Sequence, residues 1–319
     1  MAGYVARRLV EAVVLIIGAA ALGFVLVHLA PGDPVAILAG ERSSPEFQDR
    51  LRHELGLDQP LGTQLVKYLQ HLAVGDLGYS FTYQAPVGTV ILSRLQPTLL
   101  LMGASFVLSA IAGVWLGVWT AVRSRTWLAT AVSALSVAGY SIPSFWLGQV
   151  LILVLGVGLG WFPILGMSST YGQSGPAAWL DLLHHLFLPA LTLMVFQLAL
   201  ISRLTRAAML EVLEADYVRV ARGKGLSERR VVYGHALRNA LLPVVTVIGL
   251  QLGSLVAGFV LVETVFSWPG LGRLTFDAIA ARDYPVISGL FLVISASVIV
   301  ANLATDLIYP FIDPRIRYA

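Results

Sequence analysis

Six stretches of this chain are each long and apolar enough to cross a bilayer, and they leave little choice of fold. They run over 9–30, 97–122, 128–157, 186–204, 241–265 and 286–311. A helix needs about 20 mostly apolar residues for one crossing. Charge is scarce along the chain as a whole. The chain is 57% hydrophobic and 12% charged, with a mean hydropathy of +0.79, whereas soluble domains carry about 25% charged residues. Hydrocarbon offers no partner for a free N–H or C=O, so spans of this length are expected as helices. The expected fold class is all-α: a polytopic membrane protein with six transmembrane helices. Arg7 and Arg8 precede the first run as they would in a signal peptide. That run exceeds a usual signal core and no small-x-small site follows it, so an uncleaved span is expected.

The loops orient the spans. With the N-terminus inside, 14 of the 21 Lys and Arg residues fall on the inner face. Eight of those lie between Arg203 and Arg238, and five of the outer seven lie within 31–96. By the positive-inside rule both termini are expected to be cytoplasmic. Trp161, Trp179 and Trp268 then fall near outer span ends, with Trp127 and Tyr309 near inner ones. Pro97, Pro189 and Pro243 sit near span starts, where a missing N–H costs little. Pro143 lies inside the third span and should kink it. The chain has no cysteine, which excludes disulfides and thiolate-held metals. Its basic residues cluster beside apolar spans, which argues against nucleic acid as a partner.

Two segments should leave the membrane. Residues 31–96 open with PGDP, a turn sequence. Helices are expected over 45–57, with Gly56 as C-cap and Phe47, Leu51 and Leu55 at helical spacing, and over Gly62–Ala73. The other segment, 205–240, carries Leu210, Leu213, Tyr217 and Val220 at i, i+3, i+7 and i+10, the spacing of one apolar helix face. Gly225 can supply a left-handed cap, and Ser227 can N-cap a second helix that has Glu228 in its first turn. The expectation is a cytoplasmic elbow of helix, sharp turn and helix.

Particular strings carry a resemblance. ADYVRVARGKGLSERRV and HALRNALLPVVTVIGLQLG, within 215–253, are similar to the cytoplasmic loop of permease subunits of bacterial ABC importers, of the dipeptide/oligopeptide/nickel class. YVARRL (4–9), PGDP (31–34), LGLDQPL (55–61), GDLGYSF (75–81), ETVFSWPGLGRL (263–274), ARDYP (281–285) and DPRIR (313–317) resemble the same family, in its order. The family's loop motif is Glu-Ala-Ala, three residues, Gly, nine residues, then Ile-x-Leu-Pro. Gly225 fits the glycine; counted from it, only Ala221 and Leu237 also agree. The resemblance implies a type I permease fold, with 1–319 as a single transmembrane permease domain. Residues 31–96 would then be extracytoplasmic and 205–240 the coupling loop. It implies that a coupling helix, using Tyr217, Val218, Arg219, Ala221, Arg222 and Gly225, rests in a groove of a cytoplasmic ATPase. It further implies two ATPase subunits that bind ATP and Mg, a second homologous permease, an extracytoplasmic substrate-binding protein, and residence in the bacterial inner membrane.

The sequence has no G-x-x-x-x-G-K-[ST] phosphate loop, so this chain is expected to be neither an enzyme nor a binder of cofactors. Polar residues within spans are few. Glu11, His28, Glu263 and Asp306 lie near span ends. Gln197 and Gln251 lie deeper, where they either line a pathway or bond neighbouring helices; Glu263 is a further candidate for the pathway. Asp181, His184 and His185 could suggest a metal, but adjacent helical histidines diverge, and capping of the fourth span is the expectation. The solute stays open among dipeptides, oligopeptides, glutathione-like molecules and nickel chelates. A secondary transporter is disfavoured by the absence of acidic intramembrane pairs, and a membrane hydrolase by the lack of HExxH or G-x-S-x-G.

Overall fold

The computed structural model describes residues 2–29, 44–54, 56–169, 175–254 and 260–312. PGDP (31–34) and DPRIR (313–317) lie outside the described residues, as do the side chains of Gln251 and Asp306. Among the described residues the chain is helical apart from one short hairpin, β1 (Tyr79–Ser80) paired antiparallel with β2 (Ala85–Pro86). Among the described residues four continuous helices are long and apolar enough to cross a membrane: Val5–Leu29, Val87–Val122, Pro176–Leu213 and Tyr284–Leu303. A bent pair, Trp127–Ser141 with Ser144–Gly158, passes the same test jointly. The expected span over 241–265 is met by two helices, Leu237–Ser254 and Val260–Val265, on either side of residues 255–259, which are not described.

The chain divides into two compact units. The first comprises 1–96 and 270–303. It holds α1 (Ala2–Leu29), α2 (Pro45–Glu54), α3 (Leu61–Ala73), the hairpin, the start of α4 (Val87–Val122), α12 (Leu271–Ala281) and most of α13 (Tyr284–Ile312). Gly56, at φ +66°, follows α2 as expected, and the Leu57 N–H closes back on the Arg52 carbonyl. Phe47, expected on the apolar face of α2, is exposed. The α3 helix packs on α1: His28 Nε2 meets Gln64 Oε1 at 3.1 Å, and the Phe24 and Tyr68 ring centroids lie 5.6 Å apart. The hairpin is tied to the turn before α13. Buried Ser80 donates to Asp283 Oδ2 at 2.5 Å, while its oxygen accepts from the Tyr83 N–H.

The second unit spans 97–269 together with 304–319. It contains the rest of α4, α5 (Trp127–Ser141), α6 (Ser144–Leu151), α7 (Pro176–Leu213), α8 (Asp216–Gly223), α9 (Glu228–Arg230), α10 (Leu237–Ser254) and α11 (Val260–Val265). Thr126 caps α5 by accepting from the Ala129 N–H. The kink expected at Pro143 is a full break. Ile142 is extended, at φ −80° and ψ 128°, and the two arms turn by 103°. A residue before proline is pushed out of the helical region, and proline offers no N–H to resume the ladder, so the third span is not one helix. The second arm widens into π geometry over Ile152–Gly158. Pro97, Pro189 and Pro243, expected near the starts of spans, lie inside α4, α7 and α10, because each helix begins before its apolar stretch does.

Glycine decides how closely α4 and α7 approach. A Cβ on Gly117 would stand 2.5 Å from Thr205 Cβ and 2.8 Å from the Ser202 carbonyl oxygen; one on Gly113 would stand 2.8 Å from Ile201 Cγ2. Gly113 and Gly117 are one turn apart and form a G-x-x-x-G face, the small-residue contact by which membrane helices pack backbone to backbone. Gly117→Val therefore overpacks the crossing and is expected to cost about 1–3 kcal/mol, read as a lowered thermal midpoint of the solubilised protein. Gly103→Ala, where a Cβ meets nothing within 4 Å, is expected to leave the midpoint unchanged or raise it.

Candidate functional site

The elbow begins where α7 stops. Glu214 remains helical, but Ala215 is extended at ψ 146°, and the chain re-enters a helix at Asp216. This break corrects the expected apolar face. Leu210, Leu213, Tyr217 and Val220 share a face only if one helix runs through them. In the structure Met209, Val218 and Ala221 are buried, while Tyr217 and Val220 are 42% and 55% exposed. Val218 and Ala221 join Val118 and Ala121 at the end of α4, Met209 of α7, and Val231, Val232, Ala236 and Ala240 in one hydrophobic cluster. The elbow is thus fastened to α4, α7 and α10 by apolar burial, and it holds Tyr217, Val220, Arg219 and Lys224 outward.

Gly225 makes the turn. Its φ of +77° is open to glycine and strained for a side chain, and its N–H closes on the Arg222 carbonyl at 2.9 Å. Ser227 occupies the cap position before α9 but makes no side-chain cap bond. Glu228 does other work there. Its two carboxylate oxygens accept from Arg222 Nη2 at 2.7 Å and Nε at 3.2 Å, a two-pronged clip across the turn. Each partner holds the other's charge: the hydrogen bonds from Arg222 lower the Glu228 pKa, and those to Glu228 raise that of Arg222. Arg222 and Glu228 are six residues apart, which is not a helical spacing, so periodicity does not pair them. Tyr217 is tethered too: Asn239 Nδ2 donates to its hydroxyl at 2.8 Å. Beyond α9 the chain widens into a π segment over Val231–Ala236 before α10.

The structure distributes the expected coupling residues over two surroundings. Tyr217, Arg219, Arg222 and Gly225 are exposed on the elbow; Val218 and Ala221 are enclosed beneath it. The pathway candidates lie apart from it. Gln197 Oε1 accepts from Ser109 at 3.1 Å, while its Nε2 is buried without a partner. Glu263 is 1% exposed and accepts from Thr98 at 2.8 Å, and beside it the Trp268 indole donates to the Pro97 carbonyl at 2.9 Å. The first joins α4 to α11 and the second joins α4 to the turn that follows α11. His184 bonds the Trp161 carbonyl at 2.7 Å, and His185 the Asp181 carbonyl at 2.9 Å. Asp181 itself accepts from Ser169. Among the described residues no three His, Cys, Asp or Glu side chains converge as a metal site.

Comparison with known proteins agrees along the whole chain. Residues 113–318 match the family described as binding-protein-dependent transport system inner membrane component, and residues 1–102 match the N-terminal model of such membrane components. A di/tripeptide transport system permease protein of Pseudomonas aeruginosa is 43% identical, covering 100% of this chain and 99% of the relative. An oligopeptide transport system permease protein of Bacillus subtilis is 40% identical and a glutathione transport system permease protein of Escherichia coli is 42% identical, each over 100% of both chains. Among solved structures, an inward-facing conformation of a methionine ABC transporter aligns with a TM-score of 0.56. It is 20% identical, covers 70% of this chain and 96% of its own, and so shows the fold alone.

The clip has a defined pH dependence. Because the Glu228 pKa is lowered in the folded chain, its stabilisation is complete above the unfolded value, near 4.5, and is lost as pH falls through the folded value. An exposed pair contributes about 0.2–1 kcal/mol. Glu228→Gln is expected to speed amide exchange across 222–228 at pH 7 and to remove its acid dependence below pH 4.5.

Proposed function

The chain belongs to the family of inner-membrane components of binding-protein-dependent transport systems, and we propose that it serves as one of two permease subunits of an ABC importer for di- and oligopeptides. In this reading it has six spans with both termini cytoplasmic, lies in a bacterial inner membrane, and works as one permease domain over 1–319. Its partners are a second homologous permease, two ATPases that bind ATP and Mg, and an extracytoplasmic substrate-binding protein that delivers the solute. Full-length identity of 40–43% to peptide permeases supports the substrate class. The glutathione relative, at 42%, favours a second reading in which the solute is a modified tripeptide of that kind.

The observation that carries the mechanism is the two-sided character of α8. Its inner side, Val218 and Ala221, is sealed into the cluster with α4, α7 and α10. Its outer side offers Tyr217, Val220 and Arg219, with the clipped Arg222 and the Gly225 turn at its end. A partner ATPase that engages the outer side moves a knob which cannot slide over its base. Displacement then passes into three long helices, and through Gly113 and Gly117 up the α4–α7 crossing. Glu263 with Thr98, Trp268 with Pro97, and Gln197 with Ser109 are the polar contacts such a displacement would remake. On this reading Gln197, Gln251 and Glu263 face the solute route in another conformational state.

Val220→Asp changes only the exposed side of α8. Co-expressed with its partner subunits, the variant is expected to insert and fold normally but to lose peptide uptake by at least about tenfold, the scale of one lost contact of about 1.4 kcal/mol. Wild-type uptake by Val220→Asp and Tyr217→Ala together would remove the docking assignment.

A further inference from the structure

A groove in the second unit is left unexplained by transport. Val132, Leu135, Ser136 and Gly139 of α5 form one wall and Val195 and Leu198 of α7 the other, with Leu116 of α4 behind; its volume is about 250 Å³. The lining is almost wholly apolar. Arg206 of α7 lies outside this lining, reaching α5 one turn from it. It is 11 residues from Val195, just over three full turns at about 3.6 residues each, so the two share a face about 16 Å apart. Arg206 Nη1 donates to Ser133 Oγ at 2.7 Å, one turn of α5 before Ser136. Its Nε is buried and has no partner, and among the described residues no carboxylate pairs with it. A half-buried guanidinium without a counter-ion, one helical turn from an apolar groove, suits an anion joined to a hydrocarbon tail.

The surroundings fix the depth. Arg203, one turn away on α7, is exposed. Trp127, the first residue of α5, is 76% exposed, and the Arg123 guanidinium lies 5.0 Å from the Trp119 ring centre. Exposed Trp beside Arg marks the headgroup level of a bilayer. From there, 16 Å is about half of the ~30 Å hydrocarbon thickness, the reach of one leaflet.

We propose that the α5–α7 groove binds one acyl chain of an anionic phospholipid whose phosphate sits on Arg206. The lipid acts as a removable wedge along the seam of the two helices, α5 ending at the Pro143 break and α7 at the elbow. The site is independent of the substrate, and its occupancy is read without transport.

The test uses the full chain purified with its partner subunits in phosphatidylcholine nanodiscs and titrated with phosphatidylglycerol, with retained lipid counted by native mass spectrometry. Arg206→Gln is expected to weaken phosphatidylglycerol retention about tenfold and leave phosphatidylcholine unchanged, and Arg206→Lys to recover most of the loss. Ser136→Phe fills the groove and is expected to reduce retention of both lipids. Benzoylphenylalanine replacing Leu135 is expected to crosslink to lipid. Unchanged retention in both Arg206→Gln and Ser136→Phe would overturn the site. So would a crosslink to a protein chain, or displacement of the lipid by inorganic phosphate alone.

Discussion

The α4–α7 crossing is a contact between backbones, and the placement of much else follows from it. In a bilayer, apolar side chains gain little by leaving lipid for one another, so helices associate where they can come close enough for dense van der Waals contact. Gly113 and Gly117 permit that closeness, and Ile201, Ser202 and Thr205 fill it. Thr205 is left wholly buried. Because the helices touch there, the end of α4 at Val118 and Ala121 lies beside Met209 of α7, and together they form the floor on which Val218 and Ala221 rest. Moving the helices apart by one side chain would leave the elbow without a base.

The membrane character, the four long helices and the place of the elbow are all legible in the sequence, because hydropathy is a local signal and Lys and Arg clusters are easily counted. The left-handed turn at Gly225 is legible for the same reason: a lone glycine after an amphipathic stretch has few other uses. What escapes is everything that depends on a break. The period that groups Tyr217 and Val220 with Leu210 and Leu213 assumes an unbroken helix, and Ala215 interrupts it without proline or glycine to announce the interruption. The pairing of Arg222 with Glu228 exists only once the turn has folded. Gly113-x-x-x-Gly117 is a signal in plain view, but many such pairs face lipid, and only the partner helix distinguishes them.

Membership of the permease family puts these parts to one use. A subunit that does not burn fuel needs a surface that receives motion and a path that carries it. On the proposed reading the receiving surface is small, a helix of eight residues, and the path is stiff because its joints are buried side chains. The polar contacts lie elsewhere. Thr98 with Glu263 joins α4 to α11, and the Trp268 indole with the Pro97 carbonyl joins α4 to the turn after α11, at the other end of the unit. Hydrogen bonds can be exchanged for others at small net cost, whereas packed apolar surface cannot. A rigid end for receiving and a remakeable end for opening is the division of labour that the proposed coupling asks for.

The π segment over Val231–Ala236 has a geometric meaning for that stiffness. Such a bulge accommodates one surplus residue within a helix, and one residue corresponds to about 100° of rotation about the axis. The azimuth at which the elbow leaves α10 is therefore set by a count of residues as well as by the packing of Val231, Val232 and Ala236. Gaining or losing one residue there would turn the elbow about that axis and draw Val218 and Ala221 away from the cluster they share with α4 and α7.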